Sequence, residues 1–326
     1  MGQTGGNMLK AYRQAGEGLI EVTADQVETA LWIDLLQPTA DEVAQVAALG
    51  LTVPPLSEME EIEISNRLYH DDGADYMTLV LPGQDVQGEQ TAGPVTFILS
   101  QTRLITVRHH APRPFETFAQ RADRSGLGCQ TADRLFLGLL QEIVGRLADH
   151  LEGVGRALDG VARQIYRPGA RGHQPQALQE ALTRVGAEGE RLGRVRLALL
   201  TLGRALNYAA PALARRPEGG ELDAALKAEL RDVDALEVHA EFLHSRVALA
   251  SDATLGSIDL AQNTMVRIVS VVSVLFLPPT LIASVYGMNF ARMPELAQPW
   301  GYPAALVLML ASALITWAVF RWKGWL

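Results

Sequence analysis

The sequence predicts an α+β domain, a mixed sheet with flanking helices, followed by a long stalk helix that continues into a two-helix transmembrane hairpin. Three observations predict it. Short apolar and β-branched runs broken by turn residues fill residues 1–112, the pattern of strands. From Phe115 onward apolar residues recur at helical spacing instead. All the long uncharged apolar segments lie beyond Arg267.

In order along the chain, Leu19 to Val22, Ala30 to Leu36, Tyr76 to Leu81, Pro94 to Leu99 and Leu104 to Arg108 read as strands. Thr39 followed three residues later by Glu42 forms a capping box, and Gly50 stops the short helix Asp41 to Leu49. The Ser100 to Arg103 turn leaves so little chain between two strands that they can pair only as a hairpin. Residues 113–220 form a helical region, with helices over Asp133 to Ile165 and Leu178 to Leu213, punctuated by Arg167-Pro-Gly169 and Arg216-Pro-Glu-Gly-Gly220. No proline then appears until Pro278, which permits one continuous helix on the order of 60 residues, or about 90 Å. Residues 221–265 would be its stalk and residues 266–287 its membrane-crossing part.

Ile268 to Val285 and Pro303 to Phe320 are each eighteen residues without a charge, close to the roughly 20 that a bilayer requires. Tyr286 and Tyr302 are placed as interfacial anchors. Pro278 and Pro279 fall mid-span, where they bend rather than end a helix. The second span occupies residues 303–321, after an outer loop at residues 288–302 and before a tail at residues 322–326. A hairpin returns both ends to one side, and Arg267, Arg321 and Lys323 mark that side as the cytoplasm.

The net charge is −9 and the pI about 5.3, so no basic excess exists to neutralise phosphates and a nucleic-acid partner is not expected. Cys129 is the only cysteine, which excludes disulfides and a thiolate zinc cage within one chain and leaves it a small core group. Residues 1–18 lack an apolar core segment, so no secretory signal is expected. His109-His110 is the one pair that invites thoughts of catalysis. No acidic cluster accompanies it in sequence, and adjacent strand positions face opposite ways, so an enzyme is not expected.

Steps of three and four residues from Asn263 pick out Asn263, Val266, Ser270, Ser273, Leu277, Thr280, Ser284 and Gly287. Every hydroxyl residue between Ile268 and Val285 falls on this stripe. A polar seam of this period suits a watery axis shared by several helices, with Val266 and Leu277 as apolar rings that gate by dewetting. It equally suits close helix packing, because small hydroxyl residues let membrane helices approach and hydrogen-bond.

Beyond the stripe stand Tyr286-Gly-Met-Asn289-Phe, then Met293-Pro-Glu-Leu296, Trp300-Gly-Tyr-Pro303 and a Lys323-Gly-Trp-Leu326 tail. With Phe276-Leu-Pro-Pro-Thr280, this resembles the CorA family of magnesium transporters, of the two-span Gly-x-Asn superfamily. The resemblance is strong over Ser257 to Leu326 and architectural elsewhere. It implies a funnel-shaped homopentamer in the inner membrane with both termini cytoplasmic, and partners limited to itself, lipid and divalent cations. It also implies potential-driven influx of hydrated Mg²⁺, with Co²⁺ and Ni²⁺ as further cargo, and no organic cofactor. Gly287, Met288 and Asn289 match its ion filter, and Asn263, Leu277 and Thr280 match pore-lining positions. Glu295 lies in the outer-mouth motif, where Ala291 and Arg292 depart from the acidic or aromatic residues usual after the signature.

The family closes when cytoplasmic Mg²⁺ rises, through carboxylates shared between subunits. The matching candidates are Asp71, Asp72 and Asp75 in the first domain and Asp232, Asp234 and Asp252 on the stalk, where each can also be a solvated surface charge. Two other readings compete. A zinc-transporting relative shares the architecture but alters the middle of the signature, which Met288 keeps intact. A membrane-anchored metal sensor that conducts nothing would need no hydroxyl seam.

Overall fold

The computed structural model describes residues 9–124, 126–166, 175–289, 293–294 and 298–324. Seven strands form one sheet: β1 (Leu9–Ala15), β2 (Gly18–Val22), β3 (Trp32–Leu36), β4 (Leu68–Asp71), β5 (Ala74–Gln84), β6 (Gln90–Leu99) and β7 (Leu104–Arg108). Their spatial order is β2-β1-β3-β7-β6-β5-β4. Every neighbouring pair is antiparallel except β3 with β7, so the sheet is mixed. The hairpin expected at Ser100 to Arg103 joins β6 to β7, and the Ser100 hydroxyl accepts from the Arg103 amide at 3.1 Å.

Both faces of the sheet are covered, which is why its central strands read as continuous apolar runs rather than alternating ones. On one face Ile33, Leu35, Tyr76, Ile98, Ile105 and Val107 pack with Val46 of α1 (Ala40–Ala47) and Met59 of α2 (Leu56–Met59). The Thr39–Glu42 capping box at the start of α1 is formed in both directions. A single turn, α3 (Ile64–Arg67), leads into β4. On the other face Trp32, Met77, Leu79, Val95 and Phe97 meet Phe115 and Phe118 of α4 (Pro114–Arg121) and Phe136 of α5 (Ala132–Tyr166). That core extends to α6 (Pro175–Leu213) and to Leu222, Leu226 and Val233 of α7 (Gly219–Tyr286).

Between β3 and β7 runs a closed polar chain. Asp34 and Arg108 pair at 2.8 Å with side chains only 3% and 4% exposed. The Thr106 hydroxyl donates to Asp34 at 2.8 Å and accepts from the Trp32 indole at 3.0 Å. A charge buried so deeply is tolerated only with such a full set of partners.

The single cysteine is buried as expected. Burial pushes the Cys129 thiol up, and it donates to the Glu17 carbonyl at 3.1 Å. His109 and His110 follow β7 rather than lying on it. His110 is buried and donates from Nε2 to the Leu81 carbonyl at 2.8 Å; burial first, then the Arg108 charge, hold it below the usual histidine range. Gly83 and Gly93 pack so close to this ring that a Cβ at either would clash with it.

The chain divides into two compact units, Met1–Arg163 with Thr183–Ser251 and Gln164–Leu182 with Asp252–Leu326. The 68-residue α7 contributes residues to both, and Pro278 and Pro279 lie within it without ending it. In the second unit it is followed by α8 (Gly301–Trp322). These are the two described helices long and apolar enough to cross a membrane, and the most apolar stretch of each is left almost wholly uncovered by the chain itself.

Candidate ion pathway

α8 covers one side of the span section of α7. Val271, Leu275, Pro278, Pro279, Ile282 and Tyr286 are half-buried, whereas Asn263, Val266, Ser270, Ser273, Leu277, Thr280, Ser284 and Gly287 are all exposed. At about 100° per residue the two sets lie roughly 170° apart around the helix. A cleft of about 320 Å³ between Leu275, Phe276 and Pro279 of α7 and Leu306, Met309, Leu310 and Ala313 of α8 marks where the two helices face each other. The stripe is therefore not the surface on which α7 packs against α8, so intrachain packing does not explain it.

Two of the hydroxyls on the stripe have a defined polarity. Ser273 donates to the Val269 carbonyl at 2.8 Å, and Thr280 donates to the Phe276 carbonyl at 2.7 Å. Each proton is returned to its own helix, so the oxygen faces outward as an acceptor. The Gly287 amide donates to the Ala283 carbonyl at 2.9 Å and continues the helical pattern, after which the Met288 amide bonds Val285 at 3.3 Å. Asn289 follows and is exposed. Glu295 and Arg292, the expected outer-mouth residues, lie outside the described residues. At the other end of α8 the Arg321 guanidinium lies 5.3 Å from the centre of the Trp317 ring, a pairing suited to an interfacial anchor.

The six acidic candidates fall into different surroundings. Asp72 and Gly73 have φ of 49° and 74°, the two positive values of a type I′ hairpin between β4 and β5. Asp72 thus has a turn-forming reason to be there, and the neighbouring Asp71 is exposed. Asp75 is buried, 2.8 Å from His70 Nδ1 and 3.9 Å from the Arg216 guanidinium. Arg216 also pairs with Asp133 at 2.7 Å and donates to the Ser100 carbonyl at 2.9 Å. Asp232, Asp234 and Asp252 are exposed on α7. Among the described residues of one chain, no three His, Cys, Asp or Glu side chains converge as a metal site.

Three charged groups that the sequence did not single out belong to this description. Asp133 is pushed up to about 6, mainly by burial, with Arg216 opposing and Glu218 and Asp75 reinforcing. Glu229 of α7 is buried, and its carboxyl is raised by burial first and then by the charge of Asp232 one turn on. Arg216 itself sits in the Pro-Gly-rich break that sequence reading treats only as punctuation.

The profile of the family described as CorA-like Mg2+ transporter protein matches residues 27–322. The chain belongs to this family. It is a family of transporters rather than of enzymes. Among individual relatives, the magnesium transport protein CorA of Escherichia coli strain K12 is 36% identical over 324 residues, 98% of this chain and 100% of the relative. The protein of the same name from Salmonella typhimurium is 35% identical over the same length. The fold matches that of the complete CorA magnesium transporter from Methanocaldococcus jannaschii, with a TM-score of 0.66 at 18% identity over 98% of this chain and 99% of that one. A ZntB cytoplasmic domain from Vibrio parahaemolyticus also shares the fold, with a TM-score of 0.55 at 13% identity over 77% of this chain and 97% of that domain. At such identities the likeness is one of fold.

Proposed function

We propose that this chain carries Mg²⁺ across the inner membrane into the cell, as a homopentamer whose five α7 helices surround the path. The observation that carries the reading is the outward row of hydroxyl acceptors on the face of α7 turned away from α8. Mg²⁺ is small and releases its octahedral waters reluctantly. Its bound waters present protons outward, which is what Ser273, Thr280 and the Asn289 amide oxygen accept. Ser270 and Ser284 extend the same lining, and Asn263 stands at its cytoplasmic end. Leu277 and Val266 supply apolar rings that close by excluding water.

Gly287, Met288 and Asn289 then form the entry filter, with Glu295 as an acidic group at the outer mouth. No nucleotide is needed to drive inward flux. An inside-negative potential contributes about 2.3 kcal/mol per charge per 100 mV, hence about 4.6 for a divalent ion. Co²⁺ and Ni²⁺ have similar hydration geometry and are expected to follow. Arg267, Arg321 and Lys323 favour cytoplasmic termini.

Closure by cytoplasmic Mg²⁺ would draw on Asp71, Asp232, Asp234 and Asp252, whose carboxylates are exposed, with Asp72 adjoining at its turn. The ligands are taken to come from neighbouring copies, each contributing one or two carboxylates to an ion that keeps most of its waters. Ion binding there favours whichever packing brings the carboxylates together, and so shifts the open and closed populations. Asp75, already engaged with His70 and Arg216, is better placed to hold the fold around that region than to bind the ion.

The test is Mg²⁺ entry into liposomes carrying the purified protein under an inside-negative potential, wild type against Asn289→Ala. Entry that the substitution abolishes supports the reading. Zn²⁺ uptake following an imposed proton gradient, without Mg²⁺ entry, would move the assignment to the zinc-transporting relatives. Silence for every ion in folded assemblies would favour a non-conducting sensor.

A further inference from the structure

A cavity assigned no role above lies in the first unit, between α4 with the turn that follows it and the outer face of α5. It has a volume of about 600 Å³. Four arginines line it, Arg113, Arg121, Arg124 and Arg146, against two carboxylates, Glu142 and Asp149. Both carboxylates are engaged within the wall. Glu142 accepts from the Thr117 hydroxyl at 2.7 Å, and Asp149 pairs with Arg146 at 3.4 Å. Arg113, Arg121 and Arg124 pair with no carboxylate among the described residues. In a chain of net charge −9, a concave site with two uncompensated positive charges runs against the overall charge of the molecule.

Gly145 of α5 is exposed in the lining, and a Cβ there would meet nothing within 4 Å. The cavity is far larger than a single phosphate requires and falls within the range of small-molecule sites. Guanidinium groups match phosphate oxygens in bidentate geometry, and several around one concavity favour a ligand with more than one phosphate.

We propose that this pocket binds a soluble polyphosphate anion, of the class of nucleoside di- and triphosphates, through Arg113, Arg121, Arg124 and Arg146. Binding at this site is independent of the transport reading, because it is measured without ion flux.

The experiment is calorimetric titration of the full-length protein in detergent with ATP, inorganic tripolyphosphate and orthophosphate, at fixed excess Mg²⁺. A parallel arm measures binding to vesicles containing phosphoinositide. The variants are Arg121→Glu with Arg124→Glu, both exposed side chains, and Arg156→Glu on the exposed face of α5 as control. Saturable binding of ATP or tripolyphosphate is expected, weakened at least about tenfold by the double reversal and unchanged by the control. Equal binding of both ligands assigns recognition to the phosphates, and preference for ATP adds the nucleoside; either supports the proposal. Absence of saturable binding, binding that the double reversal leaves intact in a protein that elutes as wild type, or binding to the vesicles alone would overturn it.

Discussion

Two rows of polar atoms in this protein are built on opposite rules. Between β3 and β7, Trp32, Thr106, Asp34 and Arg108 bond to one another, and Arg108 donates further to the His110 carbonyl at 3.2 Å. Along α7, Ser273 and Thr280 return their protons to their own helix and leave their oxygens open. The first row is complete in one chain and therefore serves the fold. The second leaves acceptors open to whatever lies outside the chain, be it water, a hydrated ion or a helix of another copy. The difference separates polar residues whose partners lie within the chain from those whose partners must be sought outside it, without any appeal to motif.

Breaking the closed row should cost most. Asp34→Ala leaves the Arg108 guanidinium buried without its counter-charge and should lower stability by about 3 to 5 kcal/mol, measured by urea unfolding of the detergent-solubilised protein. A change under 1 kcal/mol would show that the row is not closed in solution. In the open row, Thr280→Val keeps shape and apolar packing but removes one acceptor from each helix. Mg²⁺ flux should fall about fivefold, on the scale of one hydrogen bond of about 1 kcal/mol, while the melting temperature stays within a degree or two. Loss of stability with unaltered flux would place Thr280 in the structural class.

Asp133 offers an effect that is read in the pH dependence of stability. Its carboxyl titrates near 6 in the folded chain against 3.8 as its ordinary value, so the folded state holds the proton more tightly. The sign follows: the contribution is present below about 4 and is lost as pH rises toward about 6. Asp133→Asn should flatten the pH dependence of stability over that window, and an unchanged slope would assign the slope to other groups.

Much of this was legible in the sequence because it rests on local periodicity. The Thr39–Glu42 box, the hairpin at Ser100, and helices read as ending at Ile165, Leu213 and residue 287, which the structure ends at Tyr166, Leu213 and Tyr286, all follow from spacing, capping and breakers within a few residues. Two strands were not foreseen. β1 carries Lys10 and Arg13 among its apolar positions, and β4 is four residues long with His70 and Asp71 at its end, so neither shows a clean alternation. Both are held by pairing with β3 and β5, which is tertiary information.

The stripe on α7 was readable as a period, but not its meaning. Pore and packing predict the same spacing, and only the position of α8 on the opposite face separates them within the chain. The acidic candidates were the least legible. Charge alone does not tell a turn residue such as Asp72 from a buried partner such as Asp75, and a site assembled between copies leaves no signature within one.

We assign the ion path to the hydroxyl face of α7 and not to the face against α8. The most direct test of this assignment uses the fact that the native thiol, Cys129, is buried. With Cys129 replaced by alanine, Ser273→Cys, Thr280→Cys, Val271→Cys and Ile282→Cys are each reconstituted in liposomes, and Mg²⁺ entry is measured before and after a small water-soluble thiol reagent. Block at Ser273→Cys and Thr280→Cys with continued flux at Val271→Cys and Ile282→Cys is the predicted result. The reverse pattern would contradict the account.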